Sequence, residues 1–347
     1  MEKYTANANS ALRIRIDGHK FRPDLTYQIF SDEKIVGYKS PKITLEFDKN
    51  YMPLIEAKFS EKNEGAENLV EKLREFIPCA FTDRKLWAAA STNLELKLGP
   101  PIASFDEYEL YNPKIADVSE FLERIRIFVL LFVDGGSYID QTDDNWQVYL
   151  LFNKKRKFVG FSTIYPYLYY LNGETFKETA RLTRNRISQF IILPPYQKKS
   201  LGTKMLEVLI KRMMSDPNVR EISIEQPSEV FDLMKERIYL RLLGPIFGDL
   251  SYPDFVIDEF VEGAQEGKTD LRTFWQVFEM HRLNMDGRTS RNLRKLVKTR
   301  LYRQNHLELS GDPEAKEKLD QVYDKIIDAY EIVLGTTPRP TKKAKHA

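Results

Sequence analysis

The residues best suited to chemistry lie at 194–207, "PPYQKKSLGTKMLE". A proline pair ends an apolar run, and Gln197, Lys198, Lys199, Ser200 and Gly202 lead into a helix. A strand that stops, turns sharply and restarts as a helix makes an anion site. The first helical N–H groups have no internal partner, and the helix dipole favours negative charge there. Lys198 and Lys199 add screened attraction, and Gly202 lets the backbone come close. The stretch therefore suits a phosphate or pyrophosphate, or it is an ordinary β–α turn. Two nucleotide patterns are excluded. A P-loop needs G-x-x-x-x-G-K-[ST], and the order here is Gly202-Thr203-Lys204 with no glycine five residues earlier. A dinucleotide fingerprint needs three glycines where this joint has one.

Other chemistries find little support. The single cysteine, Cys79, sits in "EFIPCAF" and reads as a core thiol; it excludes an internal disulfide framework and fits a reducing compartment. His19, His281, His306 and His346 are too scattered for a metal site. No Cys or Ser nucleophile constellation is evident. Lys and Arg number 53 against 51 Asp and Glu, so the net charge of +2 makes no global case for nucleic-acid binding. "MEKYTANANS" lacks an apolar signal core, and "IFVLLFV" (127–133) is too short to span a bilayer. The expectation is an intracellular, soluble protein.

The elements that must position the joint can be read from periodicity. A length of 347 residues suggests two or three structural units. Residues 1–112 mix strand-like "ALRIRI", "KITLEF" and "MPLIEAKF" with helical "AENLVEKLREFI", an α/β lobe. "VSEFLERIRIFVLLFVDGG" carries Phe121, Leu122, Ile125, Phe128, Val129 and Phe132 at helical spacing, which predicts a deeply buried helix stopped by Gly135-Gly136. "NWQVYLLFNKKRKFVGFSTIYPYLYYL" reads as a β-hairpin and "RISQFIIL" as a third strand. A helix follows from Gly202 to about residue 214. "EISIEQP" is then a strand, and "SEVFDLMKERIYLRLL" a helix with Ser228 as N-cap. Residues 244–262 are irregular, and the chain is helical from about Lys268 to Leu334 in two or three segments. "TTPRPTKKAKHA" is a basic tail, disordered, suited to nuclear import or simply solvated.

"ISQFIILPPYQKKSLGTKMLE" resembles motif A of the GNAT acetyltransferases, where Q/R-x-x-G-x-G/A binds the pyrophosphate of acetyl-CoA. Together with "SYIDQTDDNWQVYLLFNKKRK" and "IEQPSEVFDLMKER" it resembles the catalytic subunits of the type B histone acetyltransferases, from about "ALRIRI" to "DKIIDAYEIV". The resemblance implies an α+β fold with a GNAT-type mixed sheet flanked by helices. The N-terminal lobe would be residues 1–112, the acetyl-CoA-binding catalytic domain 113–262, the C-terminal helical lobe 263–335 and the tail 336–347. It implies transfer of acetyl from acetyl-CoA to a lysine Nε of newly made, free histone four, with no metal and no direct DNA or membrane binding. It also implies a WD-repeat propeller histone chaperone as partner, and cytoplasmic and nuclear location. The polar loop "LNGETFKETARLTRN" (171–185) is the expected docking segment for that chaperone.

Residue by residue, the resemblance implies that backbone groups of Phe190, Ile191 and Ile192 hold the thioester and pantetheine arm. Gln197, Lys198, Lys199, Ser200, Leu201, Gly202 and Thr203 hold the pyrophosphate, and Ser228 and Arg237 are further cofactor contacts. Glu225 is the general base and Asp134 a second acid near the catalytic centre. Ser31, Asp32, Glu33, Trp146, Tyr165, Pro166 and Tyr167 contact the histone tail. The chemistry asks for such groups: a lysine ammonium has a pKa of about 10.4 and cannot attack a thioester until a base removes its proton. A basic tail also suits an acidic, aromatic groove, for which Asp134, Asp140, Asp143, Asp144, Trp146 and the tyrosines of "YPYLYY" are available, although alternate tyrosines of a strand also pack a core. Three positions depart from the family pattern. Ser200 replaces the first motif-A glycine, Gln226 stands where Asp is usual, and Asp134 is one methylene shorter than the usual Glu. Two alternatives stay open: a catalytically weak histone-binding scaffold, and a GNAT enzyme acting on another amine.

Overall fold

The computed structural model describes residues 4–90, 94–169, 182–247 and 271–335. Contacts group the chain into two compact units, one of residues 1–167 and 186–205, the other of residues 168–185 and 206–347.

The first unit opens with β1 (Thr5–Asn7), α1 (Ala8–Ala11), β2 (Leu12–Ile16), β3 (His19–Phe21), β4 (Lys34–Val36), β5 (Tyr38–Lys39), β6 (Lys42–Phe47), β7 (Pro53–Lys58) and β8 (Glu61–Lys62). Four of these strands form a sheet in the order β3-β2-β6-β7, with β2 and β6 parallel. Strand β6 alternates, burying Ile43, Leu45 and Phe47 and turning Lys42, Thr44 and Glu46 outward, the period-2 pattern of a half-buried strand. Helices α2 (Leu69–Phe76) and α3 (Arg84–Ala89) follow, capped by the Asn68 and Asp83 side chains.

A second sheet contains β9 (Ala103–Phe105), β10 (Tyr108–Tyr111), β11 (Gln147–Asn153), β12 (Phe158–Leu168) and β13 (Thr183–Ile192) in sequential order. Between β10 and β11 lie α4 (Ile115–Ile125) and α5 (Ile127–Phe132). The single helix expected here is divided at Arg126 by a 3₁₀-type step, Val129 N–H to Arg126 C=O at 2.9 Å. Its wide apolar side is buried as expected: Phe121 meets Phe158 at 5.3 Å and Tyr51 at 5.1 Å, and Phe128 meets Phe47 at 5.2 Å. These rings carry the two sheets of the unit on one core. Strands β12 and β13 run antiparallel, with bonds from Leu193 N–H to Val159 C=O and from Tyr169 N–H to Leu182 C=O.

The second unit contains most of α6 (Leu201–Ser215), then β14 (Val219–Ile224), α7 (Glu229–Leu243), α8 (Leu271–Asp286), α9 (Arg291–Gln304), α10 (His306–Leu309) and α11 (Ala315–Leu334). Strand β14 lies beside the start of β13, which belongs to this unit: Thr183 N–H bonds Asn218 C=O at 2.8 Å and Arg184 pairs with Glu221 at 2.7 Å. The fold is α+β. Most of the expected irregular stretch 244–262 and all of the tail 336–347 lie outside the described residues. Among the described residues no helix is long and apolar enough to cross a membrane.

Candidate active site

Strand β13 ends at Ile192, a 3₁₀ turn covers Pro194–Tyr196, and α6 begins at Leu201. The joint between them is strained: Lys198 has φ +60° and Ser200 φ +58°, left-handed values that favour glycine. A glycine at position 200, as in the motif this stretch resembles, would take that conformation without steric cost. Lys204 N–H bonds Ser200 C=O at 3.0 Å, so Ser200 is the helix cap and the N–H groups of Leu201, Gly202 and Thr203 form the open first turn. The Gln197 amide donates to Ile192 C=O at 2.8 Å, tying the loop to the strand end. Lys199 lies over the Tyr196 ring at 5.7 Å, and Lys198 is exposed. Open donors at a helix start with cations beside them fit a diphosphate.

Strand β13 is held very close to β12. A Cβ on Gly160 would overlap the Ile191 carbonyl oxygen and lie 3.0 Å from Ile192 Cα. The Ile191 carbonyl is thus turned to β12. Successive groups of a strand alternate, so the backbone groups of Phe190 and Ile192 face the other edge. Gly160→Ala should destabilise the first unit by about 1–3 kcal/mol, because backbone rather than a movable side chain blocks the methyl. An unchanged thermal midpoint would show that β12 and β13 can part freely.

Asp134 follows α5 and is exposed. Its Oδ1 accepts from the Tyr27 hydroxyl at 2.8 Å, and the Tyr27 oxygen accepts from Gly135 N–H at 2.8 Å. Gly135 has φ +65°, and a Cβ on Gly136 would meet Val129 Cγ1 at 2.8 Å, so both glycines are required. Gln189 of β13 donates to Ser137 C=O at 2.6 Å, fixing this loop to the sheet.

Trp146, Tyr165 and Tyr167 form an aromatic row, with ring centroids 4.8 Å apart for the first pair and 4.7 Å for the second. Tyr165 donates to Asp143 Oδ2 at 2.8 Å, and Arg186 covers Tyr167 at 4.5 Å. Hydrogen bonds from Asn145 N–H and the Tyr165 hydroxyl hold the Asp143 carboxyl below the usual range, so this edge of the row stays anionic. Pro166, between the two tyrosines, is half-buried. Ser31, Asp32 and Glu33 form a tight turn in which Asp32 and Glu33 have φ +53° and +55°. Glu33 accepts from Thr26 N–H at 3.2 Å, and Ser31 and Asp32 line a groove of about 580 Å³.

In the second unit, Glu225 directly follows β14 and is exposed. Gln226, next to it, has φ +40°, a region that Asp and Asn enter more readily than Gln. The Asp that the resemblance implies at this position would suit the turn better. Ser228 caps α7 as expected, accepting from Phe231 N–H at 3.3 Å. Arg237 has a structural task that its sequence position did not suggest: it donates to Val333 C=O and Ile332 C=O, both at 2.9 Å, and so caps the C-terminus of α11.

Residues 4–134 match the family model described as "Histone acetyl transferase HAT1 N-terminus". The chain is 31% identical to the histone acetyltransferase type B catalytic subunit of Yarrowia lipolytica, over 94% of this chain and 91% of that protein. It is 32% identical to the protein of the same description from Candida glabrata, over 96% of this chain and 93% of that protein.

Proposed function

The chain belongs to the family of type B histone acetyltransferase catalytic subunits, and on that premise we propose that it acetylates a lysine Nε in the N-terminal tail of free histone four, using acetyl-CoA and Glu225 as general base. The observation that carries this reading is the joint at Gln197–Thr203, where left-handed residues at 198 and 200 precede an open helix start. The open N–H groups of Leu201, Gly202 and Thr203, with Lys198 and Lys199, hold the diphosphate. Phe190 and Ile192 offer strand-like hydrogen bonds to the pantetheine arm, and Ser228 and Arg237 are further cofactor contacts.

The reaction needs a neutral amine. Glu225 takes a proton from the lysine ammonium, directly or through one water, and the freed lone pair attacks the thioester carbonyl. The C–N bond forms, the C–S bond breaks, and the CoA thiolate leaves and is protonated. Glu225 is exposed in the free protein, so bound peptide and acetyl-CoA supply the partial desolvation that suits a base. Asp134 is a second acceptor, working through water. The Trp146, Tyr165, Pro166 and Tyr167 row and the Ser31–Glu33 turn take the basic tail through cation–π and charge contacts of about 0.5–1 kcal/mol each. The working form is a soluble complex with a propeller-type histone chaperone, in cytoplasm and nucleus. The docking loop proposed for it, 171–185, lies largely outside the described residues.

CoA release tests the reading: a histone-four tail peptide should drive it, and the same peptide with every lysine replaced by arginine should not. Equal release with both peptides would contradict lysine transfer. The left-handed cost at Ser200 is already met in the free protein, so Ser200→Gly should act on acetyl-CoA by removing the Cβ beside the diphosphate, lowering its KM without slowing turnover. An unchanged or raised KM would mean that the Ser200 hydroxyl contributes a useful hydrogen bond.

A further inference from the structure

Tyr27 stands outside every motif singled out in the sequence, yet its hydroxyl makes two of the bonds that orient the Asp134 loop. It donates to Asp134 Oδ1 and accepts from Gly135 N–H, each at 2.8 Å. The segment that carries it is tied down at several points. Asp24 N–H and Leu25 N–H both reach Leu131 C=O at 3.1 Å, and the Gln28 amide donates to Gly136 C=O at 3.0 Å. Thr26 is fully buried, bonded through its hydroxyl to Asn9 and through its N–H to Glu33. Ile29 N–H and Phe30 N–H close a turn on Thr26 C=O at 3.0 and 2.8 Å. Tyr27 is itself 38% exposed, so burying its ring does not account for its placement.

The physical consequence lies in orientation. An exposed carboxylate on a loop samples several rotamers, and a donor fixed on a separate, anchored segment selects one of them. The same segment bonds Glu33 one residue earlier. The turn proposed to contact the histone tail and the carboxylate proposed to serve near the amine are therefore set by one piece of chain. We infer that Tyr27 is a positioning residue for acetyl transfer, aligning Asp134 relative to the peptide held at Ser31–Glu33. This rests on the proposed role of Asp134. Tyr27 need not touch acetyl-CoA or the reacting amine.

The test is steady-state kinetics on the full chain with a histone-four tail peptide and acetyl-CoA, using Tyr27→Phe, Asp134→Asn and the double variant. Phenylalanine keeps the ring and removes only the hydroxyl. Losing a hydrogen bond to a charged group should lower kcat by about tenfold, with the KM for acetyl-CoA unchanged. In the Asp134→Asn background the same change should cost nothing further, because contacting groups couple. Wild-type kcat in Tyr27→Phe beside a slow Asp134→Asn overturns the inference and spares the reading of Asp134. Losses that multiply in the double variant also overturn it, since they mean that Tyr27 acts by another route. Full kcat in Asp134→Asn overturns the role of Asp134 and the inference together.

Discussion

Replacing Glu225 by glutamine should lower kcat by about 10²–10⁴-fold and leave acetyl-CoA affinity almost unchanged. Glutamine keeps the shape and hydrogen bonding of the side chain and loses only its basicity. The residues proposed for the diphosphate lie at 197–203, in a separate stretch of chain, so binding should survive. The defect should shrink as pH rises, because a lysine amine with a pKa of about 10.4 is then increasingly neutral before it binds. Asp134 is the second acceptor, so residual activity in Glu225→Gln should fall again when Asp134→Asn is added. Near-complete kcat in Glu225→Gln at neutral pH beside a slow Asp134→Asn would reassign the base to the other carboxylate.

Glu279→Ala should destabilise the second unit by about 3–5 kcal/mol. Glu279 is fully buried on α8 and accepts from Nε and Nη2 of Arg300 on α9, at 2.7 and 2.8 Å. The Tyr330 hydroxyl on α11 donates to it at 2.7 Å, and burial first, then the Glu279 charge, pushes the Tyr330 phenol well above its usual range. Alanine would leave the Arg300 guanidinium, only 9% exposed, without its buried counter-charge. A domain is stable by about 5–15 kcal/mol, so this loss should melt the helical region early. Replacing the three together, as Glu279→Leu, Arg300→Met and Tyr330→Phe, should recover most of it, because buried ion sets are often no more stable than apolar side chains of the same volume. Thermal unfolding of the single and triple variants decides this; a single variant with the wild-type midpoint would show that water reaches the pair.

The parts of this molecule that could be read in its sequence are those written in local periodicity. Strand β6 alternates, β13 is a continuous β-rich run, α6 has its apolar stripe, and Ser228 announces α7, so each emerges close to where spacing puts it. The break at Arg126 was hidden because one 3₁₀ step leaves the helical spacing of α4 and α5 nearly in phase. The helical region ran to four segments where two or three were expected, since the short α10 buries no residue and carries no amphipathic signal. The aromatic row could be anticipated from "NW" and "YPY", whereas the task of Arg237 could not. Its acceptors are carbonyls of residues 332 and 333, nearly a hundred positions away, and a backbone acceptor leaves no side-chain signature. No local spacing marks Glu279 and Arg300 as a buried pair, because charged residues on helices usually face solvent. Tyr27 pairs with a residue 107 positions away, a relation only the fold creates. Gly160 carries no signal in its own strand, because the carbonyl that fills the place of a Cβ comes from β13.

Every proposed role converges on transfer of acetyl from acetyl-CoA to a lysine side chain of histone four. Fragmentation mass spectrometry of a histone-four tail peptide, incubated with acetyl-CoA and either the wild-type chain or Glu225→Gln, tests it most directly. One acetyl group should appear on a lysine Nε with the wild-type chain, and little or none with Glu225→Gln. Acetylation confined to the peptide's α-amine would move the enzyme to a different substrate class. A peptide that binds and returns unmodified from the wild-type chain would make the protein a histone-binding scaffold, contradicting the assignment.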